Sequence, residues 1–179
     1  MKRLLVMVGF LGACAMAPKA PQGANPEAYW PLRAGQVMVF EAKTLGGKAQ
    51  KKVRIKARKN GWFEAGRGQR LRHDADGLFD GKRYLIRRPL LVGQVWHAIP
   101  KPGVIERFRV VRVDARCPKE LLQAPACLAI EARQNVGSQV LLTRWWYGKG
   151  LGMLQVEIFL QTTAGQLKRQ SLLRRVSAK

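Results

Sequence analysis

Residues 51–64 read KKVRIKARKNGWFE, and this stretch decides the fold. Val53, Ile55 and Ala57 alternate with Lys52, Arg54, Lys56 and Arg58, so a period of two puts the apolar set on one face and the basic set on the other. Asn60-Gly61 follows, two residues that tolerate positive φ and form the strongest short hairpin signal, and Trp62-Phe63-Glu64 returns. The rest of the chain repeats the pattern. Asp76-Gly77 and Asp80-Gly81 punctuate the approach to a strand at 83–87. Phe108 to Val113 is strand-like but breaks phase at Val110-Val111, which predicts a bulge. Residues 128–133 and 140–147 flank a turn at 135–138, and Leu154, Val156, Ile158 and Leu160 alternate with polar neighbours. Ala164-Gly165 leads into a last strand at 167–176, and no stretch sustains a helical apolar period over three turns. The expectation is an all-β fold, a single antiparallel meander curved into a barrel or half-barrel, in one domain over 29–179.

One segment recurs. Pro31-Leu32-Arg33-Ala34-Gly35-Gln36-Val37 is echoed by Pro89-Leu90-Leu91-Val92-Gly93-Gln94-Val95. Each copy sets a proline before a turn and a glycine before a strand, so the echo is either an internal repeat or a second use of the same turn chemistry.

Ahead of the domain, Lys2 and Arg3 precede a ten-residue apolar run from Leu4 to Ala13. A membrane span needs about 20 residues, so the run is too short for one and has the layout of a secretory signal, 1–13. Leu11-Gly12-Ala13-Cys14 resembles the lipobox of bacterial lipoproteins. That resemblance implies a diacylglycerol thioether on Cys14, cleavage before it and acylation of the new amine by a fatty acid such as palmitate. Residues 14–28 carry prolines at 18, 21 and 26 among small and polar residues and read as a flexible tether. Ala15, rather than an aspartate, resembles the class sorted to the outer membrane.

Removing Cys14 leaves Cys117 and Cys127, ten positions apart. An oxidising envelope allows the pair to persist as a disulfide around a loop with two prolines and a possible helical turn at 119–123. A metal site would need two further ligands that no nearby histidine or Cys-x-x-Cys provides.

The segments YWPLRAGQVMVFEA, GLFDGKRYLIRRPLLVGQVWHA and WWYGKGLGMLQVE, with the cysteine-containing centre, resemble a group of uncharacterised bacterial envelope lipoproteins. Their pattern is an aromatic-Pro-Leu-x-x-Gly opening, a repeated Pro-Leu-x-x-Gly-x-x-Trp segment and a late aromatic-x-x-Gly-x-Gly strand start, matched here at 29–35, 89–96 and 147–152. Met38 stands where the group has an aromatic, and this chain is far more basic. The resemblance implies fold and location and assigns no catalytic residue.

Nucleophile-elbow, zinc-protease and phosphate-loop motifs do not occur, and His73 and His97 have no ligand at metal spacing. His73-Asp74-Ala75-Asp76 lacks the further oxygen ligands of a calcium loop and reads as turn chemistry. The expectation is therefore no enzyme, no cofactor and no metal. Charge is the functional signal. The net charge is +22, and residues 43–72 hold six lysines and five arginines against Glu64 alone. The predicted anion-binding set is Lys51, Lys52, Arg54, Lys56, Arg58, Lys59, Arg67, Arg70 and Arg72. Lipid head groups, lipopolysaccharide, a cell-wall polymer or an acidic protein would suit it, and export argues against nucleic acid as the physiological partner. The expected function is that of a lipid-anchored envelope lipoprotein whose basic hairpin binds an anionic envelope component in a structural or assembly role. The alternative is a carrier holding a lipid or another apolar ligand in a sheet-lined cavity. Trp145-Trp146-Tyr147 bears on it, because Trp146 must face away from its neighbours.

Overall fold

The structure is a computed structural model that describes residues 23–66 and 68–177. The expected signal at 1–13, the lipidation site Cys14, the tether up to residue 22 and Arg67 lie outside the described residues.

Twelve antiparallel strands form one sheet that curves into a nearly closed barrel. They are β1 (Val37–Thr44), β2 (Gly47–Ala57), β3 (Phe63–Ala65), β4 (Gln69–Asp74), β5 (Gly77–Phe79), β6 (Tyr84–Arg87), β7 (Val95–Lys101), β8 (Val104–Ala115), β9 (Cys127–Val136), β10 (Gln139–Gly148), β11 (Gly152–Gln161) and β12 (Leu167–Ser177). Sequence neighbours pair throughout except β6 with β7, and β1 pairs with β12. The barrel therefore closes on its chain ends and has its seam in the middle of the sequence, where the Trp96 indole N–H reaches across to the Tyr84 carbonyl at 3.0 Å.

Local chemistry builds this as the residues dictate. Asn60 and Gly61 both have positive φ, 57° and 73°, and join β2 to β3. The phase break in β8 is a bulge: pairing with β9 steps from Val110 to Arg112. The echoed segments are one structural unit used twice. In each copy the glycine N–H donates to the next strand (Gly35 to Ile55, Gly93 to Val110, both 2.9 Å), and the following glutamine carbonyl accepts from that same residue. Both glycines have φ between 83° and 89°. Two six-strand meanders, β1–β6 and β7–β12, thus open on the same turn.

The inner face is filled. Trp96 and Phe108 stack at 5.1 Å, and Phe108 and Trp145 at 5.8 Å, above Phe40, Met38, Ile55 and Ile130. Trp145 and Tyr147 point inward, whereas Trp146 faces outward with Leu154, Leu121 and the cysteine pair. Cys117 and Cys127 form the expected disulfide, which clips residues 118–126 over the outside of β9–β11. That segment makes a tight turn at Lys119-Glu120, closed by Leu121 N–H to the Pro118 carbonyl, in place of the expected helical turn. The Gln123 side-chain amide then donates to the Leu121 carbonyl at 2.9 Å, a bond local to the turn.

Residues 24–28, within the stretch expected to be a flexible tether, pack against the barrel. Ala24 bridges to Leu90, and Asn25 caps a one-turn helix α1 (Pro26–Tyr29) that has proline in its first turn, where a missing N–H does no harm. Tyr29 and Trp30 plug the barrel end, with exposures of 0% and 2%. The Tyr29 hydroxyl donates to Asp114 at 2.8 Å, Lys149 pairs with the same carboxylate at 3.1 Å, and Gly150 N–H donates to the Ala28 carbonyl at 2.7 Å.

This latch has a pH signature. The Tyr29 hydroxyl, aided by Lys149, holds the Asp114 carboxyl below its ordinary range against partial desolvation. A folded-state pKa below the unfolded value of about 3.9 contributes stability above that pH, and the contribution is lost as pH falls through the folded value. Asp114→Asn is therefore expected to flatten the loss of stability below about pH 4. The effect at neutral pH is at most about 1 kcal/mol, because the side chain is half exposed. Denaturant midpoints measured across the acid range check this, and an unchanged acid slope would refute the latch.

A candidate anion-binding face

Strand parity and register sort the predicted cations. Lys52, Arg54 and Lys56 project from the outer face of β2, since Val53 and Ile55 are in the core. Lys51 is opposite Phe40, so it lies on the inner face of β2, exposed beyond the core at the open end of the barrel. Lys59 lies in the turn after β2, and Arg70 and Arg72 lie on the outer face of β4. The set is thus split: all the described members except Lys51 share the outer side of β2–β4.

Pairing across the strands produces an arrangement that no linear motif displays. Ala57 pairs Phe63 and Phe63 pairs Leu71, which aligns Arg58, Trp62 and Arg72 in one outward row. Arg72 pairs Phe79, and Phe79 pairs Tyr84, so the row continues across β5 and β6. Arg72 is set between the rings of Trp62 and Phe79, and Tyr84 follows Phe79. The Arg72 guanidinium lies 4.8 Å from the Trp62 ring centre and 5.6 Å from that of Phe79, and Arg87 lies 5.7 Å from Tyr84. Ring centroids are 6.1 Å apart for Trp62–Phe79 and 5.1 Å for Phe79–Tyr84. Rings hold a guanidinium flat while its N–H edge stays available to an anion. The Arg72 Nε–H is itself buried and has no hydrogen-bond partner among the described residues, and Asp74 at 3.8 Å pairs with it only as a charge.

Beside the row is an open cleft of about 440 Å3 lined by Arg58, Lys59, Asn60, Trp62, Glu64 and Arg70. Arg58 Nε donates to Glu64 at 2.8 Å and its terminal nitrogen also meets that carboxylate. The Arg58 hydrogen bond holds the Glu64 carboxyl below its ordinary range, with Lys56 and Arg70 adding to the effect. Tyr84 donates to Asp74 at 3.1 Å, and desolvation followed by that bond raises its phenol.

The Asp74 side chain accepts from the Asp76 and Gly77 N–H groups at 3.0 and 3.1 Å, an Asx turn that accounts for the acidic pair. His73 donates from Nε2 to the Trp30 carbonyl at 2.7 Å, while His97 is exposed on β7 opposite Arg107. Among the described residues no three histidine, cysteine or acidic side chains gather as a metal site.

Two further features escape the linear reading. A cleft of about 710 Å3 opens beside α1 between Glu27, Arg33, His73 and Lys149, with Gly61 and Phe63 on its wall. On the opposite side of the barrel, Arg107 and Arg133 are directly paired across β8 and β9, with Arg109 next to Glu131. Arg144 takes that carboxylate at 2.6 Å.

No family model, curated protein or solved structure matches the chain.

Proposed function

We propose that this protein is a lipid-anchored, non-enzymatic outer-membrane lipoprotein whose outer β2–β4 face binds an anionic component of the envelope. The observation that carries the reading is the excess charge of that face: among the described residues, Lys52, Arg54, Lys56, Arg58, Arg70 and Arg72 face two carboxylates, Glu64, which Arg58 occupies, and Asp74, 3.8 Å from Arg72. A sheet surface that concentrates like charge repels itself, and an anion relieves the repulsion. The carrier alternative has less support, because aromatic and aliphatic side chains fill the inner face that would have to hold the ligand.

The test is calorimetric titration of the full chain, in neutral detergent, with inorganic polyphosphate over a range of salt. Binding that is measurable at low salt and weakens steeply as the Debye length shrinks is expected. No binding at low salt would refute the reading.

A further inference from the structure

We infer that the cleft between Arg58, Asn60, Trp62 and Arg70 takes the phosphorylated sugar headgroup of a membrane glycolipid. The inference rests on the anion-binding reading above and names the ligand of that face.

Cations alone would suit any polyanion, but this cleft contains more than cations. Trp62 forms one wall, and its ring system also begins the row that continues through Phe79 and Tyr84. A pyranose ring has one face made of C–H groups, which packs on an indole as any apolar patch does. Glu64 is the more selective feature. An ionised carboxylate only accepts hydrogen bonds and repels phosphate, so it is useless to a bare polyphosphate chain. Arg58 holds only the Oε2 of Glu64, so a ligand that brings hydroxyl groups next to its phosphates can use Oε1, and can use the Asn60 amide as well. Lys59, Arg70 and the Arg58 nitrogen not bound to Glu64 then meet the phosphate, with Arg70 offering the two-pronged donor geometry that suits it. The site therefore pairs each feature of a sugar phosphate with a matching group: ring face with indole, hydroxyls with Glu64 and Asn60, phosphate with the three cations.

Position points to a lipid-borne sugar. The turn carrying Asn60 and Gly61 is at the same end of the barrel as α1, since Gly61 shares a cleft wall with Asn25 and Ala28. The chain from Cys14 enters at that end. Eight residues separate Cys14 from Gly23, a maximum reach of about 30 Å, so a lipid on Cys14 would hold the cleft close to the headgroup layer.

The experiment compares three soluble probes on the full chain in neutral detergent: deacylated lipopolysaccharide oligosaccharide, the same oligosaccharide after dephosphorylation, and inorganic polyphosphate of equal charge. The phosphorylated oligosaccharide is expected to bind at least about tenfold tighter than either of the others. Asn60→Gly keeps the left-handed turn and removes the amide, and Trp62→Ala removes the wall. Both should reduce the preference for oligosaccharide over polyphosphate several-fold, and Trp62→Phe should restore much of it. Equal affinity for oligosaccharide and polyphosphate, or a preference untouched by either variant, would overturn the sugar assignment while leaving the anion reading intact. Absence of binding to every probe would remove both. Oligodeoxythymidylate binding as tightly as the oligosaccharide would mark the rings as a platform for bases instead, and would also overturn the inference. Competition by intact lipopolysaccharide in vesicles at least as strong as that by the free oligosaccharide is expected for a membrane-borne ligand. Failure to compete would make the ligand a soluble glycan and overturn the assignment to a glycolipid.

Discussion

Reversing Lys52, Arg54 and Lys56 together to glutamate is expected to weaken polyphosphate binding by more than about a hundredfold and leave the barrel folded. Each lysine or arginine near an anionic surface contributes about 1 kcal/mol, so losing three removes about 3 kcal/mol and reversal adds repulsion. A tenfold change corresponds to about 1.4 kcal/mol, which sets the expected scale. The fold should survive because all three side chains are exposed on the outer face of β2, opposite Val39, Val37 and Glu64. Only Lys56→Glu meets a like charge, at Glu64, and such a cross-strand pair costs about 0.2–1 kcal/mol. Arg58 is left out of the variant on purpose, since its reversal would break the ion pair with Glu64 and disturb the cleft. The control is the opposite wall: reversing Arg107, Arg109 and Arg133 changes net charge by the same amount. If the two triple variants lose affinity equally, overall charge rather than the β2–β4 face governs binding. A far smaller loss from the second variant supports the face.

The fold was largely legible because its signals are local. Alternation in residues 51–58, Asn60-Gly61 and the phase break at Val110-Val111 each require only a few neighbouring residues to be read, and each appears in the structure as expected. Trp146 facing away from Trp145 and Tyr147 follows from strand parity alone. Ordering of residues 24–28 was not legible, because it depends on distant partners: Leu90 for Ala24, Gly150 for Ala28. The candidate site divides in the same way. The basic charge is a property of composition and is visible at once. The placing of Arg72 between rings is not, since Trp62, Arg72, Phe79 and Tyr84 become neighbours only through the registers of β3 to β6. Short strands such as β5 (Gly77–Phe79) give too few residues for a period to declare itself. The one available hint was the density of Asp-Gly turns between 74 and 81, which implies several strand reversals and hence close cross-strand packing. The echo at 31–37 and 89–95 shows the same limit: sequence poses the choice, and only the matched hydrogen bonds to Ile55 and Val110 decide it.

Trp30→Ala is expected to destabilise the protein by about 2 kcal/mol, and the size follows from two opposed effects. Removing a buried tryptophan side chain usually costs about 3–5 kcal/mol, through lost transfer energy and the cavity left behind. Trp30 fits that case: it is 2% exposed, its ring centre is 5.8 Å from that of Tyr147, and its edge lies so close to Gly152 that an added Cβ there would sit 3.0 Å from it. Against this, the indole N–H is buried without a partner among the described residues, and an unsatisfied buried donor costs about 1–3 kcal/mol that the alanine variant recovers. Trp30→Phe separates the two effects. It keeps most of the ring and deletes the orphan N–H, so its stability should fall within about 1 kcal/mol of the parent. Denaturant midpoints at neutral pH measure both variants, with the slope confirming a single transition. A Trp30→Phe loss as large as that of Trp30→Ala would mean that the N–H has a partner and that the indole, rather than its bulk, secures the plug. The consequence reaches function, because Trp30 and Tyr29 fix the entering chain to the end of the barrel that bears the Asn60 turn. If the proposed lipid on Cys14 anchors the chain, loosening them would uncouple the barrel from that anchor, and the cleft would no longer be held toward the membrane even with every cation in place.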